Sequence, residues 1–148
     1  MIIRRANEGD ISTIHKILRQ VNDVRAALRP DLFHAGGTKY NGEELRAILA
    51  EEARPVFVAE TEGQVVGYAF CVEKREHTPT LYLDDLCVDA AWRRHGIASA
   101  IFDCVTAYAK QNGFYSVTLN VWAGNESAQA FYLSRGMTVQ KTTMEKIL

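Results

Sequence analysis

Cysteine and proline are scarce in this chain, and no apolar run is long. The three cysteines, Cys71, Cys87 and Cys104, form no CxxC pair and leave one over in any disulfide scheme. A disulfide scaffold is therefore not expected, and they read as buried thiols of a reducing compartment. No stretch approaches the ~18 continuous apolar residues of a membrane span, so no membrane is expected. The opening MIIRRANEGD has charges at positions 4 and 5 and no apolar run behind them, which is not the pattern of a secretory signal. A cytoplasmic location is the corresponding expectation. Neither charge sign dominates: 17 basic residues face 18 acidic ones, for a net charge of −1. Such a balance gives no reason to expect nucleic acid as a partner. His15, His34 and His77 have no metal-ligand spacing, and no metal is expected. What remains is 148 residues, 47% hydrophobic and 24% charged, which fits a single domain, 1–148, with one sizeable core.

Apolar spacing divides the chain into short elements. Ile2 to Arg5 reads as a strand, and Asn7 or Asp10 can cap the helix that follows through Ile11, Ile14, Ile17, Leu18 and Val21. Arg29-Pro30-Asp31 ends regularity, and Gly36-Gly37 lies in a flexible connection. Glu43 to Ala53 returns to helical spacing, and Pro55 stops it. Two strands, Val56–Ala59 and Val65–Val72, are joined by a turn at Glu62-Gly63, and a third runs from Leu81 to Val88. Ile97, Ile101, Cys104, Val105 and Tyr108 mark one face of a long helix ending before Asn112-Gly113. Val117, Leu119 and Val121 alternate with polar residues as a half-buried strand. Asn125 caps a short helix, Gly136 closes it, and Met137 to Met144 is expected to form a last strand. The predicted order is β-α-α-β-β-β-α-β-α-β, an α/β mixed sheet with helices packed on it.

The most informative segment is Val88-Asp89-Ala90-Ala91-Trp92-Arg93-Arg94-His95-Gly96-Ile97-Ala98. A strand enters a turn, and the turn opens an amphipathic helix. The first amides of a helix lack internal partners, and the helix dipole adds positive charge there, so an anion is well held at that end. Gly96 lets backbone approach a ligand, and Arg93 and Arg94 add full charge. The chain has no GxxxxGK followed by Ser or Thr and no GxGxxG, so neither a P-loop nor a dinucleotide fold is indicated.

A second constellation follows the next strand: Asn125-Glu126-Ser127-Ala128-Gln129-Ala130-Phe131-Tyr132-Leu133-Ser134-Arg135-Gly136-Met137. Taken together, R-x-x-G-x-A at the start of a long helix and N-x-x-A-x-x-F-Y-x-x-x-G-M after a further strand resemble the GNAT superfamily of acyl-CoA-dependent N-acetyltransferases. The resemblance covers nearly the whole chain. It implies the GNAT fold and acetyl-CoA as cosubstrate, with direct attack of a primary amine on the thioester in a ternary complex.

By that resemblance, Arg93, Arg94, His95, Gly96, Ile97 and Ala98 would hold the coenzyme's pyrophosphate. Backbone of Leu86, Cys87 and Val88 would pair with its pantetheine arm, as a sheet edge accepts a strand. Asn125 would touch the same arm while capping its helix. Tyr132 would protonate the leaving thiolate, a task suited to a phenol. An alkylammonium, with a pKa around 10.4, must first lose a proton. Tyr82-Leu83-Asp84-Asp85 resembles the strand of polyamine acetyltransferases, which makes Asp84 the expected proton acceptor. Asp85 joins the acceptor site, on the opposite face of the strand if side chains alternate. Phe33 and His34 lie where the family builds its acceptor pocket. The acceptor is read as a small amine or polyamine. A protein N-terminus or lysine is the alternative, as is a non-catalytic acyl-CoA sensor. Many relatives pair as homodimers; this sequence does not fix the oligomeric state.

Overall fold

The computed structural model describes residues 1–148. Five strands form one sheet in sequence order: β1 (Ile2–Arg5), β2 (Val56–Thr61), β3 (Gln64–Lys74), β4 (Thr80–Val88) and β5 (Ser116–Thr118). β1 to β4 pair antiparallel, and β5 lies parallel to β4 at the sheet edge. Two helices, α1 (Ile11–Leu28) and α2 (Gly42–Ala50), precede β2; α3 (Ile97–Gln111) and α4 (Glu126–Ser134) flank β5 in sequence. No helix is long and apolar enough to cross a membrane.

Each face of the sheet has its own core. Ile14, Ile17 and Leu18 of α1 and Leu45 and Ile48 of α2 cover Val56, Val58, Tyr68 and Phe70. Ile97, Ile101, Phe102 and Val105 of α3 cover Phe57, Ala59, Val66, Ala69, Leu81 and Leu83 on the other face. Alternation along β2 and β3 sends successive residues to the two cores, which is why Val56–Ala59 and Val65–Cys71 are buried without interruption. Full burial of each large aliphatic side chain contributes about 1.5–3 kcal/mol. The helix starts are capped locally. Asn7 and Asp10 form a reciprocal box around a 3-10 turn, and Asn41 and Glu44 form another at α2.

Three expectations need correction. The strand read through Val121 ends at Thr118, because the β4–β5 ladder stops at Tyr82↔Thr118. The helix read to Ala53 ends at Ala50, where Glu51 turns extended. The last strand, Met137 to Met144, is not formed: residues 137–148 belong to no helix or strand and pair with no strand of the chain. Alternation specifies the strand's conformation; a sheet also needs an edge to accept it.

Candidate active site

At β4 the alternation of side chains breaks. Phe70 of β3 pairs with Asp85 and Cys71 pairs with Leu83, so Asp84 is an extra residue, a β-bulge. Leu81 and Leu83 before it pack in the α3-side core, and so do Leu86 and Val88 after it. The parity therefore shifts across the bulge, and Asp84 and Asp85 both face α1 and α2 rather than opposite sides.

The two carboxylates have different surroundings. Asp84 accepts a hydrogen bond from the Tyr40 hydroxyl at 2.6 Å and pairs with Lys39 Nζ at 2.9 Å. Burial, and then this bond, push the Tyr40 phenol up to about 12. Asp85 is buried; Tyr68 Oη donates to it at 3.1 Å, and Arg25 of α1 lies 3.3 Å away. Burial raises its pKa above the usual carboxylate range, with Arg25 and then Lys39 opposing the rise.

Tyr132 of α4 is half-buried against Phe102 and Phe131, with ring centroids 5.9 and 5.1 Å away. Its hydroxyl makes no hydrogen bond within the chain. Burial holds the phenol well above its ordinary value, and Asp85 and Cys87 are near enough for their charges to add to the effect. Cys87 is pushed up to about 12, chiefly by burial. Its thiol is therefore protonated at neutral pH and is no ready nucleophile.

Beyond Tyr82, β4 and β5 separate, leaving the β5-facing side of Leu83–Val88 without a strand partner. This slot leads directly to the turn before α3. Asp89 accepts from Ala91 N at 3.0 Å, and Gln20 of α1 accepts from Ala90 N at 2.9 Å. Arg94 and Gly96 take positive φ, +66° and +73°. None of the seven backbone N–H groups from Arg93 to Ser99 donates to an acceptor in the chain; the first that does is Ala100, to Gly96 O. A Cβ on Gly96 would meet nothing within 4 Å, so its backbone angle, not space, calls for glycine. The exposed amides, the α3 dipole and the two arginines suit a diphosphate.

Asn125 caps α4 by accepting from Ala128 N at 3.3 Å. Phe33 meets Trp122 edge-on at 5.6 Å, and Arg29 lies over the same indole at 5.7 Å. His34 is exposed, and only its carbonyl is engaged, by Asn22 Nδ2 at 2.6 Å and Gly37 N at 3.4 Å. His15 is half-buried and bonded to Thr38 at 3.2 Å. The cysteines are all free; Cys71 is buried, whereas Cys87 and Cys104 are half-buried.

Sequence reading missed Arg25, Tyr68, Lys39, Tyr40 and Trp122. Each acts through a partner distant in sequence. Only Tyr68 left a local trace, as a hydroxyl within an otherwise apolar strand.

Residues 21–137 match the model of the Acetyltransferase (GNAT) family. The chain belongs to this family. It is 34% identical to human N-acetyltransferase 8 over 94 residues, which are 62% of this chain and 41% of that protein. The chain thus spans about two fifths of the length of that relative. The BH1408 protein of Bacillus halodurans, in a tetramutant form, superposes with a TM-score of 0.93 at 31% identity, covering all of both chains. An aminoglycoside N-acetyltransferase solved with CoA shares the fold at a TM-score of 0.75 and 16% identity, covering 99% of this chain and 98% of that one.

Proposed function

We propose that this chain is an acetyl-CoA-dependent N-acetyltransferase in which an amine attacks the thioester directly. The unpartnered amides from Arg93 to Ser99 carry the reading. Those of Arg94, His95, Gly96, Ile97 and Ala98 would bind the pyrophosphate, aided by the charges of Arg93 and Arg94. The open side of Leu86, Cys87 and Val88 would take the pantetheine arm, with Asn125 beside it. The bound coenzyme supplies an acetyl thioester; all other work falls to this chain.

The amine must arrive neutral, and its lone pair forms the new C–N bond as the C–S bond breaks. The ammonium's proton goes to a carboxylate, and the departing sulfur receives one from Tyr132. Resemblance assigns the first task to Asp84, whose carboxylate is engaged by Lys39 and Tyr40, as that of Asp85 is by Arg25 and Tyr68. Asp85 suits the task better. Its raised pKa lies closer to working pH, where a general base is most effective, and its charge reaches Tyr132. In this scheme Asp84 shapes the acceptor wall with Lys39 and Tyr40. Tyr132, free of internal hydrogen bonds, is the acid.

Two carboxylates and the Phe33–Trp122 aromatic pair on the acceptor side suit a small cationic amine such as a polyamine. Acetylation of an amine panel, read as free thiol, tests the reading alongside calorimetric titration with CoA. CoA binding with thiol release for at least one amine supports it. Binding without release for any small amine, N-terminal peptide or lysine peptide would instead make the domain an acyl-CoA sensor. Absence of binding would overturn both.

A further inference from the structure

Lys39 lies near the end of the connection from α1 to α2, and its ammonium is held on three sides. Nζ donates to Asp84 Oδ1 at 2.9 Å and to the Asp84 carbonyl at 3.3 Å, and it lies over the Tyr40 ring, 5.7 Å from its centroid. A carboxylate, a carbonyl and an aromatic face together recognise an alkylammonium. The receiving groups are themselves fixed. Tyr40 Oη donates to the other Asp84 oxygen at 2.6 Å and accepts from Arg54 at 3.2 Å, and its ring packs on Phe70 at 5.6 Å. Next to Lys39 the backbone is held by Thr38, whose hydroxyl bonds His15 and the Tyr40 carbonyl. The side chains of Lys39 and Asp84 are 30% and 14% exposed, so the pair is shielded from bulk water yet within reach of a ligand.

The place of this pair in the fold gives it a chemical consequence. Asp84 is the extra residue of the β4 bulge, and the strand beyond it leads through Leu86, Cys87 and Val88 to the amide cradle. Given the acetyltransferase reading, on which this rests, a pantetheine arm running from the cradle along Val88, Cys87 and Leu86 brings its acyl end to Asp85 and Asp84. Lys39 Nζ sits at that end. It is also near enough to Asp85 for its charge to oppose the rise in that carboxyl's pKa. Lys39 alone among the six lysines pairs with either carboxylate; Lys16, for example, pairs with Asp89 instead.

We propose that Lys39 is an internal acceptor: its ammonium fills the subsite built for the acceptor's, and its Nζ is a site of acetylation in cis. Nζ passes one proton to Asp84 Oδ1 along the existing hydrogen bond. Its lone pair then forms the C–N bond as the thioester C–S bond breaks. The departing sulfur takes a proton from Tyr132, and the second Nζ proton, lost as the amide forms, restores the phenol. The products are acetylated Lys39, the free thiol of CoA and one proton. The amide carries no charge, so Asp84 and the Tyr40 ring are then released for an external ammonium. Until that happens, an external amine has to displace Lys39.

The test follows the intact chain by mass spectrometry at saturating acetyl-CoA with no amine added, and peptide mapping locates the acetyl group. Held beside the thioester, Lys39 is expected to react roughly a hundredfold faster than Lys110 and Lys146, both exposed, at a rate independent of protein concentration. Tyr132→Phe should slow Lys39 by about tenfold and leave Lys110 and Lys146 at their background rate. A second readout needs no coenzyme. In calorimetric titration with diaminobutane, K39M should bind about tenfold tighter than the parent, because no internal ammonium has to be displaced; circular dichroism checks its fold. Acetylation of Lys39 no faster than of Lys110, a rate that rises with protein concentration, or equal diaminobutane affinities for K39M and the parent would each overturn the proposal. CoA binding and thiol release with external amines are measured separately. If both occur while Lys39 stays unmodified, the internal acceptor falls and the acetyltransferase reading stands; if neither occurs, both fall.

Discussion

Asp84 and Asp85 are consecutive on β4 yet face the same side of the sheet, because the register passes from Cys71↔Leu83 to Phe70↔Asp85 and skips Asp84. One extra residue brings two carboxylates into one region and gives them unlike partners. Asp84 is held by Lys39 and Tyr40, Asp85 by Arg25 and Tyr68.

That difference separates their substitutions. D85N is expected to lower kcat by about 10²-fold, within the range typical of a lost general base, while D84N chiefly raises the amine's KM. The acid limb of kcat/KM should fall at a pH above the ordinary aspartate range, since burial raises Asp85, and D85N should erase it. Equal limbs in D85N and the parent would return the proton to Asp84 or to solvent.

Tyr132→Phe removes a hydroxyl with no partner in the chain, so stability and CoA affinity should change little. Turnover should fall by roughly tenfold or more, as for loss of a positioned proton donor. Unchanged thiol release would dismiss Tyr132 as the acid.

Gly96→Ala puts a Cβ into open space at φ +73°. The left-handed conformation costs a non-glycine residue about 1–2 kcal/mol, and the amides around it should shift. Titration calorimetry is expected to show weaker CoA binding with only a modest drop in melting temperature. Full affinity would mean that the cradle does not depend on this backbone angle.

Gly67→Ala reports on packing instead. Its Cβ would lie 2.9 Å from Ile101 Cδ1 and 3.0 Å from Cys87 O, where α3 crosses β3. Overpacking of this kind costs about 1–3 kcal/mol, measurable by urea unfolding. Retained stability would show that α3 can move away without loss.

The Arg4–Asp10 pair gives the clearest pH effect on folding. Two hydrogen bonds of 2.9 Å from Arg4 hold the Asp10 carboxyl below its ordinary value, against the opposing effect of burial. A lowered folded pKa gives stability that is present above the unfolded value near 3.8 and is lost as pH falls through the folded one. D10N should therefore destabilise at pH 7, by about 1–3 kcal/mol for a charged hydrogen bond. The deficit should shrink in acid, as followed by thermal melts across pH 2–7. A deficit independent of pH would assign the effect to the cap alone.

Local chemistry was legible in the sequence wherever neighbours in the chain decide the outcome. Periodicity gave α1 and α3, the polar caps gave Asn7 and Asn125, and R-x-x-G-x-A after a strand gave the amide cradle. Those features need only a few consecutive residues to fix backbone angles and orphan donors. The Arg25–Asp85 and Tyr40–Asp84 contacts were not legible, because loop closure across 60 and 44 residues depends on how whole elements pack. The bulge at Asp84 was hidden for the same reason, since register belongs to a pair of strands and not to either one alone. Residues 137–148 show the limit most plainly. Their alternation specifies an extended chain, but only the arrangement of edges in space decides what that chain can pair with.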